Sequence, residues 1–156
     1  PGSHSHSYEG YFEVIEGLDL EPRFRQEAFR RMVFNVLACN RDDHSKNFGF
    51  ILNSSNQWEL SPAFDVTYAF NPEPGKWTAT QQMSIRGKRE ALTTEDLLRF
   101  GRQCNIATLP KLRSIMDQVI EAIKLWENFA AKSKVRSSEA QKIQSAITAQ
   151  IRTLDG

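Results

Sequence analysis

The sequence has no long apolar stretch. No run among its 156 residues approaches the ~20 residues that a membrane span needs, and no charged-then-apolar leader opens the chain. We therefore expect no membrane segment. Hydrophobic residues make up 40% and charged residues 25%, which is typical of a globular domain of about this length. We expect one folded domain over residues 1–156.

Cysteine and an excess of charge are also lacking. Cys39 and Cys104 are far apart, and no Cys-x-x-Cys pair occurs. This argues against a disulfide framework and favours a reducing, cytoplasmic compartment. The 20 Lys and Arg nearly balance the 19 Asp and Glu, for a net charge of +1. That balance argues against direct nucleic-acid binding through bulk charge.

Histidine is scarce, and two of the three histidines, His4 and His6, lie in the low-complexity opening segment 1–7. We interpret that segment as a cloning remnant or a flexible loop, because two histidines in such a context are weak evidence for a metal site.

Most of the chain shows the spacing of amphipathic helices. The strongest pattern lies in residues 22–39, where an apolar stripe recurs with helical period and Pro22 suits the first turn. Similar patterns predict helices over 8–18, from Thr93, over 110–129 and over 137–154. We therefore predict a mainly α fold.

One short segment has the pattern of strands. Residues 48–52 and 58–60 are apolar or alternating, and the polar run 53–57 between them predicts a turn, so together they indicate a small antiparallel hairpin. Residues 71–90 are predicted to be loop-like. Trp58 and Trp77 are interpreted as packing residues.

The polar block from Asn40 to Asn47 is the informative segment. It holds five ionisable residues and two asparagines between a buried helix and a buried strand. Such clusters cost stability unless they are satisfied, and they are common where a rigid scaffold carries function. Asp42 and Asn47 have the Asp-x-x-x-x-Asn spacing by which protein kinases place a catalytic base and a magnesium-binding asparagine.

A second metal-binding carboxylate can reach the same place. The two strands of the hairpin run antiparallel, so its ends, at Asn47 and near Asp65, are expected to lie close together. Two oxygen ligands suit Mg²⁺, which keeps several waters and is bound mainly through carboxylates and phosphates. The sequence order therefore agrees with a magnesium site at the open end of the hairpin.

Three segments together resemble the HipA-like serine/threonine kinases of bacterial toxin–antitoxin systems. They are residues 29–35, the block 40–48 with its Asp-x-His-x-Lys-Asn core, and residues 60–66 with a Pro-x-Phe-Asp element. The resemblance implies that residues 1–156 form the mostly helical C-terminal lobe of such a kinase. In that lobe the small hairpin carries the catalytic and metal-binding loops.

The resemblance also implies residue roles. Asp42 would be the catalytic base that orients and deprotonates the substrate serine. Asn47 and Asp65 would hold Mg²⁺ bridging the phosphates of ATP, so ATP and Mg²⁺ are the implied cofactors. Asp43 takes a position that varies in the family and is interpreted as structural or solvated.

Three further side chains are implied at the nucleotide. His44 and Lys46 would lie at the phosphates or order the loop, and Phe64 would pack at the nucleotide edge. From the residues alone, His44 could equally make a loop-ordering hydrogen bond.

Partners follow from the same resemblance. The substrate would be a protein serine, in some members on an aminoacyl-tRNA synthetase, and a helix-turn-helix antitoxin often binds such kinases.

A kinase also needs a glycine-rich phosphate loop, yet no Gly-x-Gly-x-x-Gly occurs here. We therefore expect an N-terminal nucleotide-covering lobe before Pro1. The chain would then be a natural split subunit or a truncated piece with little activity alone.

Three alternatives stay open. A metal-dependent phosphohydrolase could use Asp42, Asp43, His44 and Asp65 as ligands. A lobe without catalysis could keep the fold and dock a partner. The polar block could also be only a helix cap and turn cluster around Asn40.

Overall fold

The computed structural model describes residues 6–155. The prediction of a mainly α fold with one small antiparallel hairpin is confirmed. In chain order the described elements are α1 Tyr8–Gly17, α2 Pro22–Leu37, a 3-10 turn Ser45–Asn47, β1 Phe50–Leu52, β2 Trp58–Leu60, α3 Thr94–Gln103, α4 Leu109–Ile123, α5 Trp126–Lys132 and α6 Ser137–Asp155. His4 lies outside the described residues, and His6 is exposed just before α1.

Helix α2 is the centre of the core. Its predicted stripe is buried, with Phe29, Met32, Val33 and Leu37 fully inaccessible to solvent. The helix packs against α1, α4 and α6. Burial of each such side chain stabilises the fold by about 1.5–3 kcal/mol, so α2 is a rigid base for the polar block that follows it.

Helices α3 and α4 approach each other closely at Gly101. A Cβ atom at this position would lie 2.6 Å from Cδ1 of the buried Leu112. Real Cβ contacts are not that short, so the absence of a side chain at Gly101 sets how tightly the two helices pack.

Several helices end in the same hydrogen-bonded motif without using glycine. After α2, Cys39 adopts a left-handed conformation with φ 55°, and the backbone N–H of Asn40 donates to the carbonyl of Asn35 at 2.9 Å. This is the Schellman arrangement, in which glycine is the usual left-handed residue. Asp19, Asn105 and Lys134 occupy the equivalent positions after α1, α3 and α5.

The hairpin has the predicted register and turn. Phe50 pairs with Leu60, and one further hydrogen bond, from the Ser61 N–H to the Gly49 carbonyl at 2.9 Å, continues the ladder towards the polar block. The side chain of Asn53 closes the turn by accepting from the N–H groups of Ser55 and Gln57. The first strand begins two residues later than predicted.

Two predictions were wrong, one about the extent of a helix and one about the packing of two tryptophans. The helix predicted over 110–129 is interrupted after Ile123, where Trp126 begins a new helix and donates its indole N–H to the Ala140 carbonyl of α6 at 3.1 Å. Helix α5 packs against α6, and Phe129, at the end of the predicted helix, is 55% exposed.

The two tryptophans interpreted as packing residues are largely open to solvent. Trp58 is 44% exposed and Trp77 is 67% exposed. None of the helices within residues 6–155 combines the length and apolarity needed to cross a membrane.

Candidate active site

The polar block starts from a fixed point at the end of α2. The backbone N–H of Arg41 donates to the Ala69 carbonyl, and the N–H of Ala69 donates to the Cys39 carbonyl, both at 3.1 Å. These two bonds join the start of the block to the chain that follows Asp65. The catalytic-loop candidate and the metal-ligand candidate are therefore held to one another by backbone as well as by the hairpin.

Asn47 ties the ends of the Asp-x-x-x-x-Asn segment together. Its Nδ2 donates to the backbone carbonyl of Asp42 at 3.1 Å, and its backbone N–H donates to the His44 carbonyl at 3.0 Å in the 3-10 turn. With Nδ2 engaged, the side-chain oxygen Oδ1 has no hydrogen-bond donor among the described residues. An acceptor oxygen is thus left for a ligand.

Asp65 faces the same cavity as Asn47. Both side chains, with Phe64, line a cavity of about 270 Å³ between α2 and the chain that leaves the hairpin. The backbone of Asp65 is left-handed, with φ 52°, an uncommon conformation for a residue with a side chain that is enriched at functional sites. Its exposed carboxylate makes no hydrogen bond or ion pair to another described residue.

These oxygens fit a hard cation that completes its shell with phosphates and water. Asn47 contributes an amide oxygen and Asp65 a carboxylate, the ligand types that Mg²⁺ takes. Within residues 6–155 no group of three or more His, Cys, Asp and Glu side chains is placed to hold a metal. The described residues therefore do not form a metal site made entirely of protein ligands of these types.

Asp42 lies beside this cavity rather than in its lining. Its side chain is 35% exposed, and Oδ1 accepts a hydrogen bond of 2.7 Å from the indole Nε1 of Trp77. His44 Nε2 is 4.0 Å from the same oxygen. The carboxylate is thus accessible, and Oδ2 has no hydrogen bond to another described residue.

The structure does not bring His44 and Lys46 into the cavity lining. Lys46 is exposed on the 3-10 turn. His44 is half-buried, and its Nδ1 is a buried atom with no hydrogen-bond partner. Their predicted contacts to phosphates stay predictions.

A chain of buried polar side chains, which we call the Tyr8 network, forms part of the cavity wall through Asn35, Asn40 and Asp43. It consists of Tyr8, Asn35, Asn40, Asp43 and Gln81, all less than about 9% exposed. Tyr8 donates to Asp43 Oδ2 at 2.8 Å, Asn35 donates to the Tyr8 hydroxyl at 3.1 Å, and Asn40 donates to Asn35 Oδ1 at 3.0 Å. Polar groups taken out of water keep the fold stable only when they are paired in this way.

Asp43 is the acceptor at the centre of this network. Besides Tyr8, it accepts from the Gln81 side chain at 3.1 Å and from the Gln82 backbone N–H at 2.7 Å. Burial raises the pKa of Asp43 to about 6, and the donors of Tyr8, Gln82 and Gln81 oppose that rise. Burial, followed by the nearby charge of Asp43, raises the pKa of Tyr8 well above its usual value.

The interpretation of Asp43 as structural is therefore the one that agrees with the geometry. Every described hydrogen bond to its buried carboxylate comes from a donor. The phosphohydrolase alternative would instead need these carboxylate oxygens to share a metal with Asp42 and Asp65, and they are engaged by three donors. The cap alternative holds in one respect, since the Asn40 backbone does complete the end of α2.

Sequence reasoning missed Tyr8, Gln81 and Trp77. Tyr8 occupies an apolar position of an amphipathic helix, so its hydroxyl contact to a residue 35 positions away leaves no local signal. Gln81 and Trp77 lie in a segment predicted as loop, where spacing carries no period. The one indication in the sequence was the polar block between two apolar segments, because buried polar side chains need hydrogen-bond partners from elsewhere in the chain.

Comparison with known proteins places the chain in a family. The model of the HipA-like C-terminal domain matches residues 2–151, and the chain belongs to this family. A protein of Sinorhizobium fredii named "Putative kinase Y4dM" is 26% identical over 126 residues. That match covers 78% of this chain and 31% of the relative, so the chain spans about a third of the length of the curated relative.

Proposed function

We propose that this chain is the catalytic lobe of a protein serine/threonine kinase, which transfers the γ-phosphate of ATP to a serine hydroxyl. The observation that carries the proposal is the closed Asp-x-x-x-x-Asn segment. Asn47 is bonded to the Asp42 backbone at 3.1 Å and shares its cavity with Asp65. Membership of the HipA-like family and the kinase name of the relative support it.

In this proposal each side chain has one task. Asp42 accepts the proton of the substrate hydroxyl, for which its half-exposed carboxylate offers Oδ2. Asn47 and Asp65 supply oxygen ligands to magnesium, which neutralises charge on the phosphates when it is bound. Positioning and electrostatic stabilisation of this kind supply most of the catalysis in phosphoryl transfer.

Phe64 has a place in the proposal as an apolar wall for the nucleotide. Its side chain is 46% exposed and lines the cavity next to Asp65. Gly49 sets its position, because a Cβ there would lie 3.3 Å from Phe64 Cε1 and 2.9 Å from Ser61 Oγ. Glycine at this point therefore lets the hairpin backbone, the Phe64 ring and the Ser61 side chain approach one another closely without any of them shifting.

The nucleotide needs a second wall that these residues do not form. We propose that a glycine-rich lobe covers the phosphates, and that His44 and Lys46 face it from the exposed side of the loop. The protein serine substrate and a helix-turn-helix antitoxin belong to the same proposal, as does a toxin role.

Magnesium-dependent binding of ATP tests the ligand assignment. Asp65→Ala should weaken Mg·ATP binding by the full gene product at least tenfold in isothermal calorimetry, because one of two protein oxygens is lost from the cation. Binding of ATP in EDTA should change little. The matched control is Asp117→Ala, which removes an exposed carboxylate from α4, outside the cavity lining.

Equal Mg·ATP affinity in wild type and Asp65→Ala would contradict the assignment. Tight binding of a protein partner with no ATP binding at all would favour the lobe without catalysis. A circular dichroism melt of each variant verifies that the fold is retained.

A further inference from the structure

Trp77 lies on the carboxylate to which we assign the proton transfer. Its indole N–H donates to Asp42 Oδ1 at 2.7 Å, while 67% of the residue is exposed to solvent. Large aromatic side chains usually stabilise a fold by being buried. Trp77 is mostly exposed, so burial is not what holds it in this position. Exposed tryptophans with a fixed position are typical of binding surfaces.

The backbone of Trp77 is fixed to the polar block from its other side. The Gln82 side chain donates to the carbonyls of Trp77 and Thr80, and the Gln82 N–H donates to Asp43 Oδ1 at 2.7 Å. The indole is thus bonded to Asp42 while its main chain is linked through Gln82 to Asp43.

A second anchor holds the same segment. The Arg41 guanidinium donates to the Ala79 carbonyl and lies over the ring of Phe70, 4.0 Å from its centroid. Residues on both sides of Trp77 are therefore bound to the block that contains Asp42. An indole held in this way is a fixed part of the surface around that carboxylate.

Distance then limits what the indole can touch. A serine hydroxyl that gives its proton to Asp42 must lie within about 3 Å of a carboxylate oxygen. Because Trp77 Nε1 is 2.7 Å from Oδ1, the reacting oxygen comes within about 8 Å of the indole. Extended chain advances ~3.3 Å per residue, so residues one or two positions from the serine reach the ring.

We propose that Trp77 is a specificity-determining residue. Its indole is the contact surface for an apolar side chain that flanks the phosphoacceptor serine. The inference rests on the proposed function, because it takes Asp42 as the base. An apolar flank is favoured because the exposed ring face gains most by excluding water.

A peptide library tests this with the full gene product and Mg·ATP. The probe is a positional-scanning set of peptides with one central serine. We expect wild type to prefer apolar residues next to the serine, and Trp77→Ala to remove that preference. For the best peptide, Trp77→Ala should raise KM about tenfold and leave the KM for ATP within twofold.

Two further variants show whether the aromatic ring of Trp77 or its indole N–H is responsible, and whether the loss of any exposed tryptophan has the same effect. Trp77→Phe keeps an aromatic face and should retain the preference. The control Trp58→Ala removes a second exposed indole, 44% accessible on the hairpin, and should behave as wild type. If Trp77→Ala does not fold, the fluorescence of Trp77 with Trp58 and Trp126 replaced by Phe should shift on peptide addition.

An unchanged peptide preference in Trp77→Ala would overturn the inference. A loss confined to kcat would overturn it too, because the indole would then act only through its hydrogen bond to Asp42. An equal rise in the KM for ATP would overturn it as well, because it would indicate a general structural role. In the fluorescence experiment, absence of a saturable shift would overturn it. Failure of the proposed function is distinguishable, because then the wild type would transfer no phosphate to any peptide of the set, or Asp42→Asn would transfer it as fast as wild type.

Discussion

Two neighbouring carboxylates lie in opposite surroundings. Asp43 is 1% exposed in the Tyr8 network, and the described hydrogen bonds to its carboxylate come from donors on α1 and the 81–82 segment. Asp42, one residue earlier, is open to solvent and carries one bond, from Trp77. One position in the chain thus separates a carboxylate that holds the loop from one that can react.

The difference shows how the fold keeps a reactive group accessible. A buried, fully paired carboxylate resists movement, because leaving its donors unpaired costs about 1–3 kcal/mol for each group. Asp43 therefore fixes the backbone from which Asp42 projects, and Asp42 needs no partners of its own to be placed. Experiments that disturb one carboxylate and spare the other test this division.

The largest expected effect is a pH dependence of stability that belongs to Asp43. Burial raises its pKa to about 6 in the folded chain from the ordinary value of 3.8, so between these values the folded state binds more protons than the unfolded state. The free energy of unfolding should therefore fall as pH rises from about 4 to about 6. The contribution of Asp43 is up to about 3 kcal/mol.

Urea denaturation across this range measures the effect. Asp43→Asn should remove most of the slope, and Asp42→Asn should keep it. Parallel wild-type and Asp43→Asn curves would show that Asp43 does not titrate in the folded chain at a raised pKa.

A smaller effect is expected from the hydroxyl of Tyr8. Tyr8→Phe removes a donor from Asp43 and an acceptor from Asn35, at nearly unchanged volume. The expected loss is about 1–3 kcal/mol in the free energy of unfolding. Tyr11→Phe is the matched control, since Tyr11 lies on the same helix and its hydroxyl has no hydrogen bond to another described residue.

Equal losses in the two variants would mean that the Tyr8 hydroxyl does not stabilise the network. Hydrogen exchange of the Gln82 amide, which donates to Asp43 Oδ1, should also rise in Tyr8→Phe alone, because the carboxylate loses its tie to α1.

The helical core and the hairpin could be predicted because their signals are local. The stripe of α2 repeats with the helical period, and the Asn53 turn is enclosed by alternating strands. The spacing of Asp42 and Asn47 and the return of the chain to Asp65 are equally local. These features required no knowledge of distant contacts.

The remaining features of the site depend on contacts across the chain. Trp77 and Tyr8 each bond to the polar block across 35 positions, and hydrogen bonds of this kind have no period in the sequence. At the break between α4 and α5 the chain turns to pack α5 against α6, and a contact between segments leaves no trace in the apolar stripe, which predicts one helix where two exist.

Transfer of labelled γ-phosphate by the full gene product, compared between wild type and Asp42→Asn, tests the central claim most directly. Asn retains the size of the side chain and removes the proton acceptor. The account predicts a loss of at least about 10²-fold in kcat, with the melting temperature and Mg·ATP affinity close to wild type. Phosphorylation at the wild-type rate by a folded Asp42→Asn protein would contradict it.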